Sequence, residues 1–224
     1  MSQPLHSPSP QALIVSPEAA QEYLARMGLD VSTILTALEH GERRAADASG
    51  SHYPRTGAGL VRWIETVGTL RRLMMNKNWV PEDEQNRPIC VDPDRKFLLG
   101  VLGGTDATGD VSSEAGPKAQ RRKGCATDEA LSGQLTLFVR AELTEAPPGL
   151  GVNDQPPPGV WLVVYHRGES GVQVEVSYPN GSEDGQITGW VVRVLLPPFT
   201  PSEAVISPDD VGGGDVGFDV TLAS

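Results

Sequence analysis

Val160-Trp-Leu-Val-Val-Tyr165 opens the stretch of sequence that decides the fold. Val172-Gln-Val-Glu-Val-Ser-Tyr178 follows it with strict alternation of apolar and polar residues, and Ile187–Leu196 completes the stretch. A period of two places alternate side chains on opposite faces of a sheet. Clusters of Gly, Asn and Asp between the three runs supply the turns. The stretch therefore predicts a three-stranded antiparallel meander.

Shorter apolar runs outside the meander predict further strands. Ile89–Val91 and Phe97–Leu102 are separated by a turn-forming Asp-Pro-Asp and predict a hairpin, which follows an acidic loop at residues 82–84. Leu135–Leu143 is a strong strand candidate, and the alternation in Val216–Leu222 predicts a last strand.

Three helices are predicted before these strands. Ser16-Pro17-Glu18 is a typical helix start, because Ser caps the helix, Pro is tolerated in the first turn and Glu lies at the positive end. A second helix begins at Asp30 or Ser32, and a third covers residues 58–75. The apolar residues of the third helix recur at spacings of three and four and predict a buried stripe. This stripe consists of Leu60, Trp63, Ile64, Val67, Leu70 and Met74.

Helices followed by strands predict an α+β fold, with the N-terminal helices packed on a mostly antiparallel sheet of about six strands. Residues 1–15 are rich in Pro and Ser and are expected to be a disordered tail. Residues 16–200 are expected to form one domain, with a helical part at 16–80 and a β-rich part at 88–200. Residues 201–224 form an acidic, Gly-rich tail that includes the predicted last strand.

Charge and cysteine content restrict the classes of function. The chain has 224 residues, a net charge of −11 and a pI of about 4.8. An acidic surface repels phosphates and anionic lipids, so non-specific binding to nucleic acid or to a membrane is disfavoured. Cys90 and Cys125 are far apart, which fits a reducing compartment better than a disulfide framework or a zinc site. No signal peptide and no apolar run of about 18 residues is present, so we expect a cytoplasmic protein.

The most concentrated positive charge lies in one segment, at Lys118, Arg121, Arg122 and Lys123. Basic clusters on loops contact phosphates or acidic partners. The segment has no interleaved aromatic residues for base stacking. Contact with a protein partner or with the acidic tail, contact with nucleic acid, and simple solvation all remain open.

A loop without periodicity follows the strand that ends at Leu102. Its first part contains Gly103, Gly104, Thr105, Asp106, Thr108 and Gly109. Gly104 and Gly109 have the spacing of a phosphate-binding P-loop, but Asp110 stands where that loop requires Lys. A long loop in a compact domain is typically either functional or disordered. A turn or flexible loop is therefore favoured over a nucleotide site.

No set of catalytic residues emerges from the sequence. Asp94 and Lys96 at the start of a strand form half of a metal-dependent nuclease pattern, in which acids hold Mg²⁺ and Lys steadies the attacking water. No second acid stands at a defined spacing from them. The four histidines are scattered, without the close pairs that metal sites use. We therefore predict no metal, no cofactor and no catalytic residue, and keep a nuclease as an alternative.

Two combinations of motifs carry a resemblance. One combines Gly104-Thr-Asp-Ala-Thr-Gly109 with Lys123-Gly124, and the other combines Val174–Pro179 with Ile187–Pro197. Through them, residues 55–200 resemble uncharacterised proteins of GC-rich bacteria, some of them encoded near phage-defence or DNA-modification genes. The resemblance implies an accessory role in a bacterial defence or DNA-processing complex. It carries over no catalytic residue.

The expected function is therefore non-enzymatic. We expect an accessory or interaction subunit whose acidic surface and basic loop contact protein partners. The missing catalytic set, the acidic tail and the single basic cluster favour this expectation. A metal-dependent nuclease and a nucleic-acid-binding protein are the alternatives.

Overall fold

The computed structural model describes residues 12–84, 87–113, 115–122 and 151–201. In these ranges the chain forms three helices and seven strands. Their order is β1 (Leu13–Val15), α1 (Pro17–Ala25), α2 (Val31–Asp47), α3 (Gly57–Met75), β2 (Val80–Glu84), β3 (Arg87–Val91), β4 (Phe97–Gly103), β5 (Gly159–Gly168), β6 (Gly171–Glu183) and β7 (Gln186–Leu195). The strand candidates Leu135–Leu143 and Val216–Leu222 lie outside the described residues, as do most of the two predicted tails.

The seven described strands form one mixed sheet in the order β1-β7-β6-β5-β4-β3-β2. Strand β1 runs parallel to β7, and β4 runs parallel to β5. The remaining neighbours pair in antiparallel fashion. The predicted α+β class is confirmed.

The predicted meander is confirmed as strands β5, β6 and β7. Val163 pairs with Val176, which in turn pairs with Val194, so three β-branched side chains stand side by side across the sheet. Strand β6 is longer than predicted, because it continues past Tyr178 through a series of register shifts. Such bulges admit Pro179 into the strand.

Both outer strands of the sheet correct the sequence predictions. Leu13–Val15 were assigned to a disordered tail, but they pair with Val192, Arg193 and Val194 of β7. Residues 82–84 were assigned to an acidic loop, but they belong to the edge strand β2. Exposed acidic side chains and a proline are typical of an edge strand, because they discourage pairing with another chain. The predicted hairpin of β3 and β4 is confirmed.

One face of the sheet carries the larger core. Leu24 of α1, Leu38 of α2 and Leu70 of α3 belong to one buried cluster with Trp161 and Val174 of the meander. The three helices and the meander therefore contribute to one common apolar cluster. None of the described helices has the length and apolar character needed to cross a membrane.

Helices α2 and α3 are in close contact through a glycine. A Cβ atom on Gly41 would lie only 2.7 Å from the carbonyl oxygen of Arg62, and it would also meet the side chain of Thr66. Arg62 and Thr66 are consequently buried against α2. Because α3 is rotated so that Arg62 and Thr66 face α2, Leu60 and Ile64 face outward, with 55% and 50% of their surface exposed.

The predicted apolar stripe of α3 is therefore only partly correct. Val67, Leu70 and Met74 in the second half of the helix are buried, and Trp63 is half-buried. The prediction is wrong for the residues nearest the start of α3. The physical reason is the close approach of α2, which selects the face of α3 that contains Arg62.

Residues Gly104–Arg122, here called the strap, cross the opposite face of the sheet (residue 114 is outside the described residues). Gly104 forms a bridge with Ala119, and the indole N–H of Trp190 donates a hydrogen bond of 3.0 Å to the carbonyl of Pro117. A second buried cluster lies beneath the strap, formed by Leu102, Ala119, Val160, Val164, Ile187 and Trp190. The described part of the predicted flexible loop is therefore packed on the sheet.

A buried ion pair fastens the strap. Arg193 binds Glu175 in bidentate fashion, with N–O distances of 2.7 and 3.1 Å. Arg193 also donates to the carbonyls of Ala107 and Ser113, at 3.2 and 3.1 Å. Glu175 accepts a hydrogen bond of 2.9 Å from the backbone N–H of Gly109. The other three hydrogen bonds, to Ala107, Ser113 and Gly109, all join the sheet to the strap.

We expect Arg193→Met to lower the free energy of unfolding by about 3–5 kcal/mol, because it leaves the Glu175 carboxylate buried without its cation. Chemical denaturation measures this loss, and hydrogen exchange at the amide of Gly109 should become faster. Arg95→Met is the control, since Arg95 pairs with Glu82 at the surface. The control should change stability far less. Equal losses in the two variants would contradict the role assigned to the buried pair.

We expect Gly41→Ala to lower the free energy of unfolding by about 1–3 kcal/mol, because the new methyl group would meet the α3 backbone. Gly68→Ala in α3 is a matched control, since a Cβ atom there has no neighbour within 4 Å. That control should stabilise the protein by about 0.5–1 kcal/mol through helix propensity. Thermal melting curves distinguish the two. An unchanged melting temperature for Gly41→Ala would show that the helix contact is not tight.

Candidate binding site

A cavity of about 280 Å³ lies where β4 ends at Gly103, beside Tyr165 in the second half of the parallel strand β5. Gly103 and Tyr165, which are paired neighbours in the sheet, form its floor. The first turns of α3 and the end of the strap form its walls. Carboxyl ends of adjacent parallel strands are a common place for ligand sites, because the following loops diverge there.

The start of α3 leaves its backbone accessible. Thr56 precedes the helix and makes no side-chain capping hydrogen bond. Gly59 has open space where a side chain would stand, so nothing from this position fills the cavity. The first N–H groups of a helix have no partner within the helix, and they mark the positive end of its dipole. This end of α3 therefore favours negative charge.

Three arginines line the cavity: Arg55, Arg62 and Arg121. Arg55 and Arg121 are exposed, whereas only 7% of the Arg62 side chain is accessible. No aspartate or glutamate is among the described lining residues. This composition is the reverse of the whole chain, which contains 29 acidic residues against 18 lysines and arginines.

A buried acid lies behind the cavity wall. Glu42 of α2 is 1% exposed, and one of its carboxylate oxygens lies 2.6 Å from Nε of Arg62. The other oxygen accepts a hydrogen bond of 2.5 Å from Arg167 at the end of β5. One carboxylate thus faces two guanidinium groups. The trio retains one net positive charge beside the cavity.

Tyr165 contributes a protonated hydroxyl group to this region. Burial raises the pKa of Tyr165 to about 12, although nearby Arg62 acts in the opposite direction. The phenol therefore stays neutral throughout the physiological range. A neutral phenol can donate a hydrogen bond to an anion.

The sequence-predicted basic cluster is only partly brought to the cavity. Arg121 lines it, together with its neighbour Gln120. Lys118 and Arg122 have exposed side chains and are not among the lining residues. Lys123 lies outside the described residues.

The loop that follows β4 was singled out from the sequence for its P-loop spacing. Its first residue, Gly103, lines the cavity, and the rest of the loop has a structural role. Thr105 and Thr108 form a turn, in which the Thr108 hydroxyl donates a bond of 2.6 Å to the Thr105 carbonyl. Gly104 packs against Val164 of β5, so a side chain there would collide with the sheet. The N–H of Gly109 is engaged by Glu175, and Asp106 is exposed. The P-loop spacing therefore does not form a phosphate cradle.

The nuclease pattern is also explained by a turn. Lys96 and Asp94 form an exposed pair at 3.2 Å. Asp92 accepts backbone hydrogen bonds from Asp94 and Phe97, at 3.0 and 2.5 Å, and so closes the turn between β3 and β4. In the described ranges, no three His, Cys, Asp or Glu side chains are grouped so that they could hold a metal ion.

A second surface feature lies along α3. Leu60, Ile64 and Met75 are at least half exposed and follow one side of the helix, and we call them the α3 ridge. Gly68 lies between them and is open to solvent. A groove of about 400 Å³ runs beside the ridge, towards Asp83 and Pro88 of the β2–β3 hairpin.

Two of the cavity arginines were not identified from the sequence. Arg55 stands alone in a connecting segment, and Arg62 falls between the apolar residues of α3. Neither position has a local signal, because the cavity arises only when α3 meets the end of β4 and the strap.

Comparison with protein families, with curated proteins and with solved structures finds no match to this chain.

Proposed function

We propose that this protein is a non-enzymatic interaction subunit that binds a protein partner through the α3 ridge. The observation that carries the proposal is the exposure of Leu60 and Ile64, at 55% and 50%. Large apolar side chains aligned on one helix face, next to a groove, are typical of protein contact sites. An isolated exposed Leu would carry no such meaning.

Charge indicates the chemistry of the partner. Arg55 and Arg121 flank the first turns of α3, and Arg72 is exposed near its end. Elsewhere the chain is strongly acidic, with a net charge of −11. A partner segment with apolar side chains for the ridge and acidic side chains for these arginines would be complementary. A second copy of this acidic chain fits less well, because two such copies repel each other.

The resemblance to bacterial proteins encoded near phage-defence or DNA-modification genes supplies a setting. On that basis we propose a cytoplasmic accessory role in a bacterial defence or DNA-processing complex. The nuclease alternative has little support, since Asp94 and Lys96 neutralise each other at the surface. Nucleic-acid binding is a weaker alternative, because the exposed Lys118, Arg121 and Arg122 are set in an acidic protein.

Ile64→Glu is expected to weaken capture of the partner by about tenfold or more, because a charge replaces an apolar contact at the centre of the ridge. The tagged chain is purified from its host, and bound proteins are quantified by mass spectrometry. Val111→Glu is the matched control, since Val111 is 62% exposed but lies on the strap. The control should retain the partner.

A photoreactive amino acid at position 64 identifies what covers the ridge. A crosslink to another protein, lost on competition with untagged chain, supports the proposal. Crosslinks to a second copy or to the same chain would overturn it, and so would equal capture by the Ile64→Glu and Val111→Glu variants. Recovery of oligonucleotides in place of a protein would favour the nucleic-acid alternative.

A further inference from the structure

We propose that the arginine-lined cavity between α3 and the strap binds the phosphate monoester group of a small organic ligand. This inference goes beyond the proposed function and does not depend on it. The cavity shares Leu60 with the α3 ridge and Trp63 with the groove beside it, but Arg55, Arg62 and Arg121 line only the cavity.

The first argument is the charge of the wall. Arg55 and Arg121 each contribute one positive charge, and the trio of Glu42, Arg62 and Arg167 contributes one more. No described acidic residue lines the cavity. Guanidinium groups that line one concave surface raise the local positive potential and so favour an anion. A dianion neutralises this excess of positive charge better than a singly charged carboxylate does.

The second argument is the supply of hydrogen-bond donors. Arginine presents its N–H groups in a fork that matches phosphate oxygens. The Gln120 amide, the Thr56 hydroxyl and the Tyr165 hydroxyl also belong to lining residues. The positive end of α3 adds to the same field, with Gly59 leaving room for an approaching group. A tetrahedral phosphate can accept several of these donors at once.

The third argument is the remaining space. A cavity of about 280 Å³ holds more than an inorganic phosphate ion. Leu60 and Trp63 supply apolar surface to its wall. An organic group attached to the phosphate would contact them, which distinguishes a monoester from free phosphate.

The position of Arg121 makes the cavity dependent on the strap. Arg121 and Gln120 directly follow Ala119, which is buried in the second cluster and bridged to Gly104. The backbone N–H of Gln120 donates a bond of 2.8 Å to the Gly103 carbonyl. These bonds hold the base of the Arg121 side chain at the cavity, rather than leaving it on a free loop.

Isothermal titration with phenyl phosphate tests the proposal, with inorganic phosphate and benzoate as comparison probes. Phenyl phosphate should bind about tenfold or more tightly than benzoate, which carries one charge less. It should also bind more tightly than inorganic phosphate, because its ring contacts the apolar wall.

Arg55→Gln and Arg121→Gln should each weaken phenyl phosphate binding about tenfold or more, because each removes a charge-assisted bond. Arg95→Gln is the matched control, since Arg95 is an exposed arginine outside the cavity. Unchanged thermal melting of all three variants confirms that they fold. Absence of phenyl phosphate binding, equal binding of benzoate, or equal loss in the control would each overturn the proposal.

Ile64→Glu separates this site from the partner surface. Ile64 lines the groove beside the ridge and not the cavity, so this variant should bind phenyl phosphate normally. Loss of partner capture with intact phenyl phosphate binding would leave both proposals standing. A phosphoserine peptide and a nucleoside 5′-monophosphate are titrated in parallel. Tighter binding of the nucleotide supports a small organic ligand, and tighter binding of the peptide would overturn that assignment.

Discussion

The ion pair between Glu175 and Arg193 is the constraint on which the second half of the structure depends. It lies on two neighbouring strands, with both residues almost fully buried. Removing two charges from water is costly unless their remaining hydrogen-bonding groups are also satisfied. Carbonyl and N–H groups of the strap satisfy them. The strap is thereby held on the sheet, where it closes the second core and supplies Arg121 to the cavity.

A second buried ion pair lies at the contact between α2 and α3. The absence of a side chain at Gly41 allows the helices to approach, and the paired Glu42 and Arg62 fill the interface instead of aliphatic residues. As a result, Leu60 and Ile64 are displaced to the surface. The ridge and the cationic cavity are thus two consequences of one helix rotation.

Local periodicity was sufficient to predict much of the fold. The alternation in Val172–Tyr178 identified the meander, and the Ser-Pro-Glu motif at residue 16 identified the first helix, which begins at Pro17. Long-range contacts were not predictable in this way. Glu175 occupies a polar position of an alternating strand, and its burial is explained by partners that are distant in the chain, Arg193 on β7 and the backbone N–H of Gly109 on the strap. Arg121 and Gly103, which belong to two separate segments singled out from the sequence, both line the cavity, whereas Arg55 and Arg62 could be linked to it only from the packed helices.

The three-residue strand β1 has a consequence for how this protein behaves when shortened. It covers Val192–Val194 of β7 in parallel orientation, so it protects part of an otherwise open sheet edge. An uncovered β-strand edge is a template for self-association. Truncated versions that begin after Val15 would expose that edge and become prone to aggregation. Fusion partners are better tolerated where they leave Leu13–Val15 free to add to the sheet.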